Sequence, residues 1–148
     1  MFVYTDGACV HNGRPYARAG IGVYFGKDDP RNTSAPVEGR PTNNVAELEA
    51  IVRCGLLVQP DLMGGRRVTI VSDSTYAIGC ATKYGASNAA NDWRLPIPNK
   101  ALVKRAYEMF SVHPNVSFLH VKAHTNRNDP HSMGNAIADR LATNATRV

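Results

Sequence analysis

Within the first forty residues, three strand-like segments follow one another through connections too short to carry a crossover. Residues 2–9 alternate between apolar and polar, "AGIGVYFG" (19–26) forms a second segment, and "TSAPVEGR" (33–40) a weaker third. Turn-forming Gly, Pro and Asn separate them. Parallel neighbours need a connection of a dozen or more residues, usually a helix, so these segments predict an antiparallel meander. The "GIG" within the second lacks the third glycine and the following helix of a dinucleotide loop, and reads as strand packing.

Beyond residue 40 the period changes. "TNNVAELEAIVRCGLLVQP" (42–60) places Ala46, Leu48, Ile51, Val52, Leu56 and Leu57 at helical spacing, with Asn43 or Asn44 near the N-cap and Pro60 as terminator. "RVTIVSDS" (67–74) is apolar enough for a central strand. A short helix over 75–83, an irregular stretch over 84–98, a helix over 99–110, a strand over 116–123, a polar loop over 124–134 and a last helix over 135–145 complete the chain. The order β-β-β-α-β-α-α-β-α predicts one mixed α/β layer structure, a five-stranded mixed sheet flanked by helices.

The 148 residues suit a single domain, 1–148, with a real core. The net charge of +5 favours polyanions such as nucleic acid, or an anionic membrane surface, although solubility alone is an equal explanation. No apolar run reaches membrane-spanning length, so no membrane partner is expected. Cys9, Cys54 and Cys80 are widely spaced and odd in number. They read as free thiols of an intracellular, reducing compartment, cytoplasm or nucleus, and not as a zinc site.

Four acids sit at structural junctions: Asp6 mid-strand, Glu47 in the first turns of a helix, Asp73 at a strand end and Asp139 in the last helix. Asp6 is the most conspicuous, because Asp is depleted from strands and costly to bury. Each of the others has a plain structural explanation: a cap for Asp73, a helix-terminus charge for Glu47, a surface ion pair for Asp139. If strands 1 and 4 are neighbours, the four could converge, and such a cluster repels itself unless a cation neutralises it. Carboxylate oxygens suit Mg²⁺ or Mn²⁺, and a pair of ions is the usual device for in-line displacement at phosphorus. Periodicity alone does not bring the four together.

The segments "YTDGAC", "GRPTNNVAELEA", "IVSDSTYAI", "VKAHT" and "GNAIADRLA" resemble, in order and over nearly the whole chain, the type 1 ribonuclease H family. Members of that family cut the RNA strand of RNA–DNA hybrids. The resemblance implies a ribonuclease H-like fold with strands 1–3 antiparallel. It assigns Asp6, Glu47, Asp73 and Asp139 as catalytic ligands of two Mg²⁺ ions, for which Mn²⁺ is a substitute, and His124 as a catalytic residue. It also implies 5′-phosphate and 3′-hydroxyl products. Glu49 also falls in "AELEA", but the motif places the catalytic acid directly after Ala46. His124 alone would read as an exposed loop histidine; His11, His113, His120 and His131 have no comparable claim.

The same resemblance assigns Cys9, Asn12, Asn43 and Asn44 to RNA sugars, whose 2′-hydroxyls distinguish RNA from DNA. Arg40, Thr42 and Asn99 match a pocket for a DNA phosphate. Phosphate contacts fix register without reading bases, so cleavage is expected to depend weakly on sequence. Two departures stand out. The basic, tryptophan-rich protrusion of many members is not recognisable in 84–98, where Tyr84, Trp93 and Arg94 are the candidate contacts. His124 lies fifteen positions before Asp139, a longer spacing than in the compared forms.

No N-terminal hybrid-binding module is evident, and the chain is expected to act as a monomer or as part of a larger polyprotein. Two rival readings are an inactive nucleic-acid-binding or scaffolding domain of the same fold, and an integrase-like nuclease. An inactive domain has no reason to tolerate the repulsion of four acids, and "GNAIADRLA" lacks the terminal Glu of integrases.

Overall fold

The computed structural model describes residues 1–147. Strands β1 (Phe2–Val10), β2 (Arg18–Tyr24) and β3 (Thr33–Pro36) form the expected antiparallel meander. Helix α1 (Asn43–Leu57) and the short α2 (Gln59–Met63) lead to β4 (Val68–Ser72). Helices α3 (Thr75–Ala81), α4 (Lys83–Ala90) and α5 (Lys100–Ser111) precede β5 (Val116–His120), and α6 (Pro130–Ala145) closes the fold. The sheet order is β3-β2-β1-β4-β5, with β1–β4 and β4–β5 parallel. β1 is therefore the strand at which an antiparallel half meets a parallel half.

Alternation along β1 sends its side chains to two layers. Val3 joins Val23, Val68 and Ile70 in a core shared with Leu48 and Ile51 of α1, Ala77 and Cys80 of α3, and Val103, Ala106 and Phe110 of α5. Tyr4 faces the other way and packs with Val71 and Ala138 under α6. Cys54 and Cys80 are buried free thiols, and Cys9 is free and partly exposed. Among the described residues, no helix is long and apolar enough to cross a membrane.

Several boundaries differ from the sequence expectation. Thr42, not Asn43 or Asn44, caps α1: its hydroxyl accepts the Val45 amide at 3.2 Å. Pro60 does not end a single long helix. α1 ends at Leu57, and Pro60 lies in the first turn of α2, where its missing N–H costs nothing. Residues 84–90, expected to be irregular, are helical; the buried Asn88 amide donates to the Tyr84 carbonyl at 2.8 Å, a tie that no apolar period announces. β3 stops at Pro36 and β5 at His120. α6 starts five residues early, because Asp129 accepts the Ser132 amide at 3.0 Å and Pro130 fits the first turn.

Candidate metal centre and nucleic-acid interface

β1 pairs with β4 only as far as Tyr4 opposite Val71, although its pairing with β2 continues to Val10 opposite Arg18. Past Tyr4 the sheet is split, and Asp6 stands at the mouth of the split, only 4% exposed. Crevices at the carboxyl ends of parallel strands, where strand order switches, are the usual ligand sites of open α/β sheets. Asp73 follows the end of β4, and Glu47 lies in the second turn of α1. One carboxylate oxygen from each of Asp6, Glu47 and Asp73 lies within 4.8 Å of the others.

Two glycines let the helices approach this closely. A Cβ on Gly7 would overlap the Glu47 backbone nitrogen, so α1 sits directly on β1. Gly22, the cross-strand partner of Asp6, meets the Ala138 carbonyl in the same way, which brings α6 and its Asp139 down beside Asp6. Beyond the last β1–β4 pair, the Gly7 amide donates to Glu47 Oε1 at 2.6 Å and to Asp6 Oδ1 at 3.0 Å.

The cluster is electrostatically strained. Burial, then the charges of Glu47 and Asp73, push the Asp6 carboxyl far above the ordinary carboxylate range, and Asp139 adds to the rise. Burial likewise raises Glu47, opposed by its hydrogen bonds with Asp6 and the Gly7 amide. Among the described residues no Lys or Arg forms an ion pair with any of the four acids. Crowded carboxylates with no cationic partner are a donor set for a hard divalent cation. Three of the four acids thus converge closely, and Asp139 adjoins them outside the tightest triangle.

The structural explanations for these acids fail individually. The cap of α3 is Ser74, whose hydroxyl accepts the Ala77 amide at 3.0 Å, so Asp73 is free of that task. Glu47 bonds to a strand amide, not to its own helix terminus. Glu49 points elsewhere and clasps the amides of Glu38 and Gly39 at 2.9 and 2.8 Å. His124 has a left-handed backbone (φ 53°) and shares an open cavity of about 300 Å³ with Asp139, Lys122, Arg127 and Asn135.

The expected substrate contacts gather into a second open pocket of about 500 Å³. Asn12, Arg40, Thr42, Asn43, Asn44 and Asn99 all line it. Asn12 Oδ1 accepts the Asn43 amide at 3.3 Å, tying the β1–β2 turn to the start of α1. The Cys9 thiol donates to the Pro41 carbonyl at 3.3 Å on the same side. Asn99 stands at the N-cap position of α5, where its carbonyl accepts the Val103 amide at 2.9 Å but its side chain does not cap the helix. The side-chain amide donates instead to the Tyr76 hydroxyl at 3.3 Å. Tyr84, Trp93 and Arg94 are not among the residues lining this pocket.

Sequence reasoning missed one contributor. His120, the last residue of β5, donates through Nε2 to the Asp73 carbonyl at 3.2 Å. Together with the Val121 amide donating to the Ser72 carbonyl and the Ser74 amide donating to the Ser72 hydroxyl, both at 3.0 Å, it fixes the bend that carries Asp73. The β4–β5 register sets His120 beside Ser72, a pairing that the sequence of neither strand reveals.

The family model described as RNase H matches residues 1–147. A ribonuclease H of Schizosaccharomyces pombe is 41% identical over 145 residues, covering 95% of this chain and 50% of the relative. Mouse ribonuclease H1 is 32% identical over 145 residues, 96% of this chain and 48% of the relative, so the chain spans about half the length of these curated relatives. Among solved structures, the protease-reverse transcriptase of prototype foamy virus superposes with a TM-score of 0.81 at 26% identity, over 99% of this chain and 21% of that one. LC11-RNase H1 in complex with an RNA/DNA hybrid gives 0.62 at 25% identity, over 99% and 96%.

Proposed function

This chain belongs to the RNase H family, and from that premise we propose that it is an endoribonuclease that hydrolyses the RNA strand of RNA–DNA hybrids. The observation that carries the reading is the meeting of Asp6, Glu47 and Asp73, drawn from three distant segments, within 4.8 Å of one another. A mutually repelling set of carboxylates built around the buried Asp6 and supported by two glycine close approaches is costly to keep without a cation to hold.

Asp6, Glu47, Asp73 and Asp139 would hold two Mg²⁺ ions, with Mn²⁺ as a substitute. Bound there, the ions would activate the attacking water and stabilise the leaving 3′ oxygen, giving 5′-phosphate and 3′-hydroxyl ends. The Gly7 amide and the bend fixed by His120 hold two of these carboxylates in place. His124 is suited to carry a proton at the edge of the site, from a loop that shares a cavity with Asp139. Cys9, Asn12, Asn43 and Asn44 would meet RNA sugars, and Arg40, Thr42 and Asn99 a DNA phosphate. Residues 1–148 would act as a single catalytic unit and as a monomer.

The test is Mg²⁺-dependent cleavage of a labelled RNA–DNA hybrid, with RNA–RNA and DNA–DNA duplexes as controls. Cleavage confined to the hybrid's RNA supports the reading. A protein that binds the hybrid without cutting it overturns it.

A further inference from the structure

On the same sheet face as Asp6, four residues further along β1, lies an open groove of about 580 Å³ lined by Val10, His11, Tyr16, Arg18, Thr143 and Arg147. At strand rise this is roughly 13 Å from the acid cluster. Tyr16 is 62% exposed, and its ring and the His11 ring meet at a steep angle, 62°, with centroids 4.9 Å apart. The charge is one-sided. Residues 7–27 contain no acid but include Arg14, Arg18 and Lys27, and residues 140–147 contain no acid but include Arg140 and Arg147. Among the described residues Arg31, Arg53, Arg66 and Arg94 are held in ion pairs, whereas Arg14 and Arg18 are in none. His11 keeps a left-handed backbone (φ 58°) at the start of the turn that also presents Asn12 and Gly13 to the neighbouring substrate pocket.

We propose that this groove binds a single-stranded tail of the RNA strand where it leaves the hybrid. An exposed aromatic surface flanked by arginines is the usual platform for unpaired bases, whose faces a duplex hides. The methyl-bearing floor of Val10 and Thr143 suits a base, Arg18 and Arg147 line the groove beside it, and Arg14 lies in the turn between His11 and Tyr16. The strand assignment follows from the turn itself, because Asn12, one residue from His11, is the RNA-sugar contact of the proposed function. The inference therefore rests on that reading.

The experiment measures binding, in Ca²⁺ to prevent cleavage, of hybrids of equal duplex length that are blunt, carry an unpaired RNA tail at either end, or carry a DNA tail. The wild type should bind one RNA-tailed hybrid several-fold more tightly than the blunt one. Tyr16→Ala should abolish that gain and leave blunt-hybrid binding unchanged. Arg14→Gln with Arg18→Gln should lower the salt slope for the tailed hybrid by about 1.4, at about 0.7 per single-strand phosphate contact. Equal binding of blunt and RNA-tailed hybrids, a gain confined to DNA tails, or a gain that survives Tyr16→Ala overturns the proposal. Failure of the wild type to bind or cut a blunt hybrid would instead strike at the ribonuclease reading.

Discussion

The Gly7 amide donates to Glu47 Oε1 at 2.6 Å, a bond that joins the strand beside Asp6 to the helix above it. Gly7 cannot be enlarged without driving a Cβ into the Ala46–Glu47 backbone. Gly7→Ala is therefore expected to cost roughly 1–3 kcal/mol of stability, as overpacking does, and to reduce cleavage by displacing Glu47. Urea melts paired with hybrid-cleavage rates check both effects. An active, fully stable variant would show that the close approach is unimportant.

Removing one charge from the cluster should separate catalysis from folding. Asp73→Asn is expected to abolish cleavage while the metal-free melting temperature stays level or rises, because repulsion with Asp6 and Glu47 is relieved. Mg²⁺ should raise the wild-type melting temperature through linkage and raise that of the variant less. Ser74→Ala should behave oppositely, losing about 1 kcal/mol as the α3 cap is lost. A large loss of stability in Asp73→Asn with cleavage retained would return Asp73 to a structural role.

The pH dependence of the metal-free protein follows from the raised carboxyls. Asp6 and Glu47 bind protons more tightly in the folded state than in the unfolded chain, because burial and the neighbouring acids disfavour their charged forms. Protonation therefore favours the fold, and stability in EDTA should fall as pH rises from about 4. Asp6→Asn should flatten that decline, and saturating Mg²⁺ should do the same in the wild type. Thermal melts across pH 4–8 measure it; a stability that climbs over this range in EDTA would contradict the crowding.

His120 is expected to position Asp73 without touching substrate. His120→Phe removes a donor worth about 1 kcal/mol, so kcat should fall about fivefold with KM for the hybrid nearly unchanged and more Mg²⁺ needed for half-maximal rate. His120→Gln, which keeps an N–H donor, should recover much of the rate. Equal loss in both variants would mean that the hydrogen bond is not the cause.

The meander was legible from the alternation in β1 and the short, turn-rich connections, α1 from its helical apolar spacing, and the central strand from its apolar run. The start of α6 was hidden in a polar run whose Asp129–Pro130 pair was a helix-entry signal easily read as a turn. α4 was missed because "KYGASNAA" carries little apolar pattern and its tie through Asn88 is polar. The identities of Asp6, Glu47, Asp73 and Asp139 came from motif resemblance. Their meeting did not, since it depends on where β1 parts from β4 and on Gly7 and Gly22 lying beneath two helices, facts of register and close approach. His120 lay beyond reach for the same reason.

Where β4 has run out, a carboxylate has taken over the duty of a missing strand carbonyl toward the Gly7 amide. A variant meant to test hybrid binding without cleavage should therefore carry Glu47→Gln, which keeps an oxygen to receive that amide. Truncation to alanine would orphan a backbone donor and blur a chemical defect with a folding one.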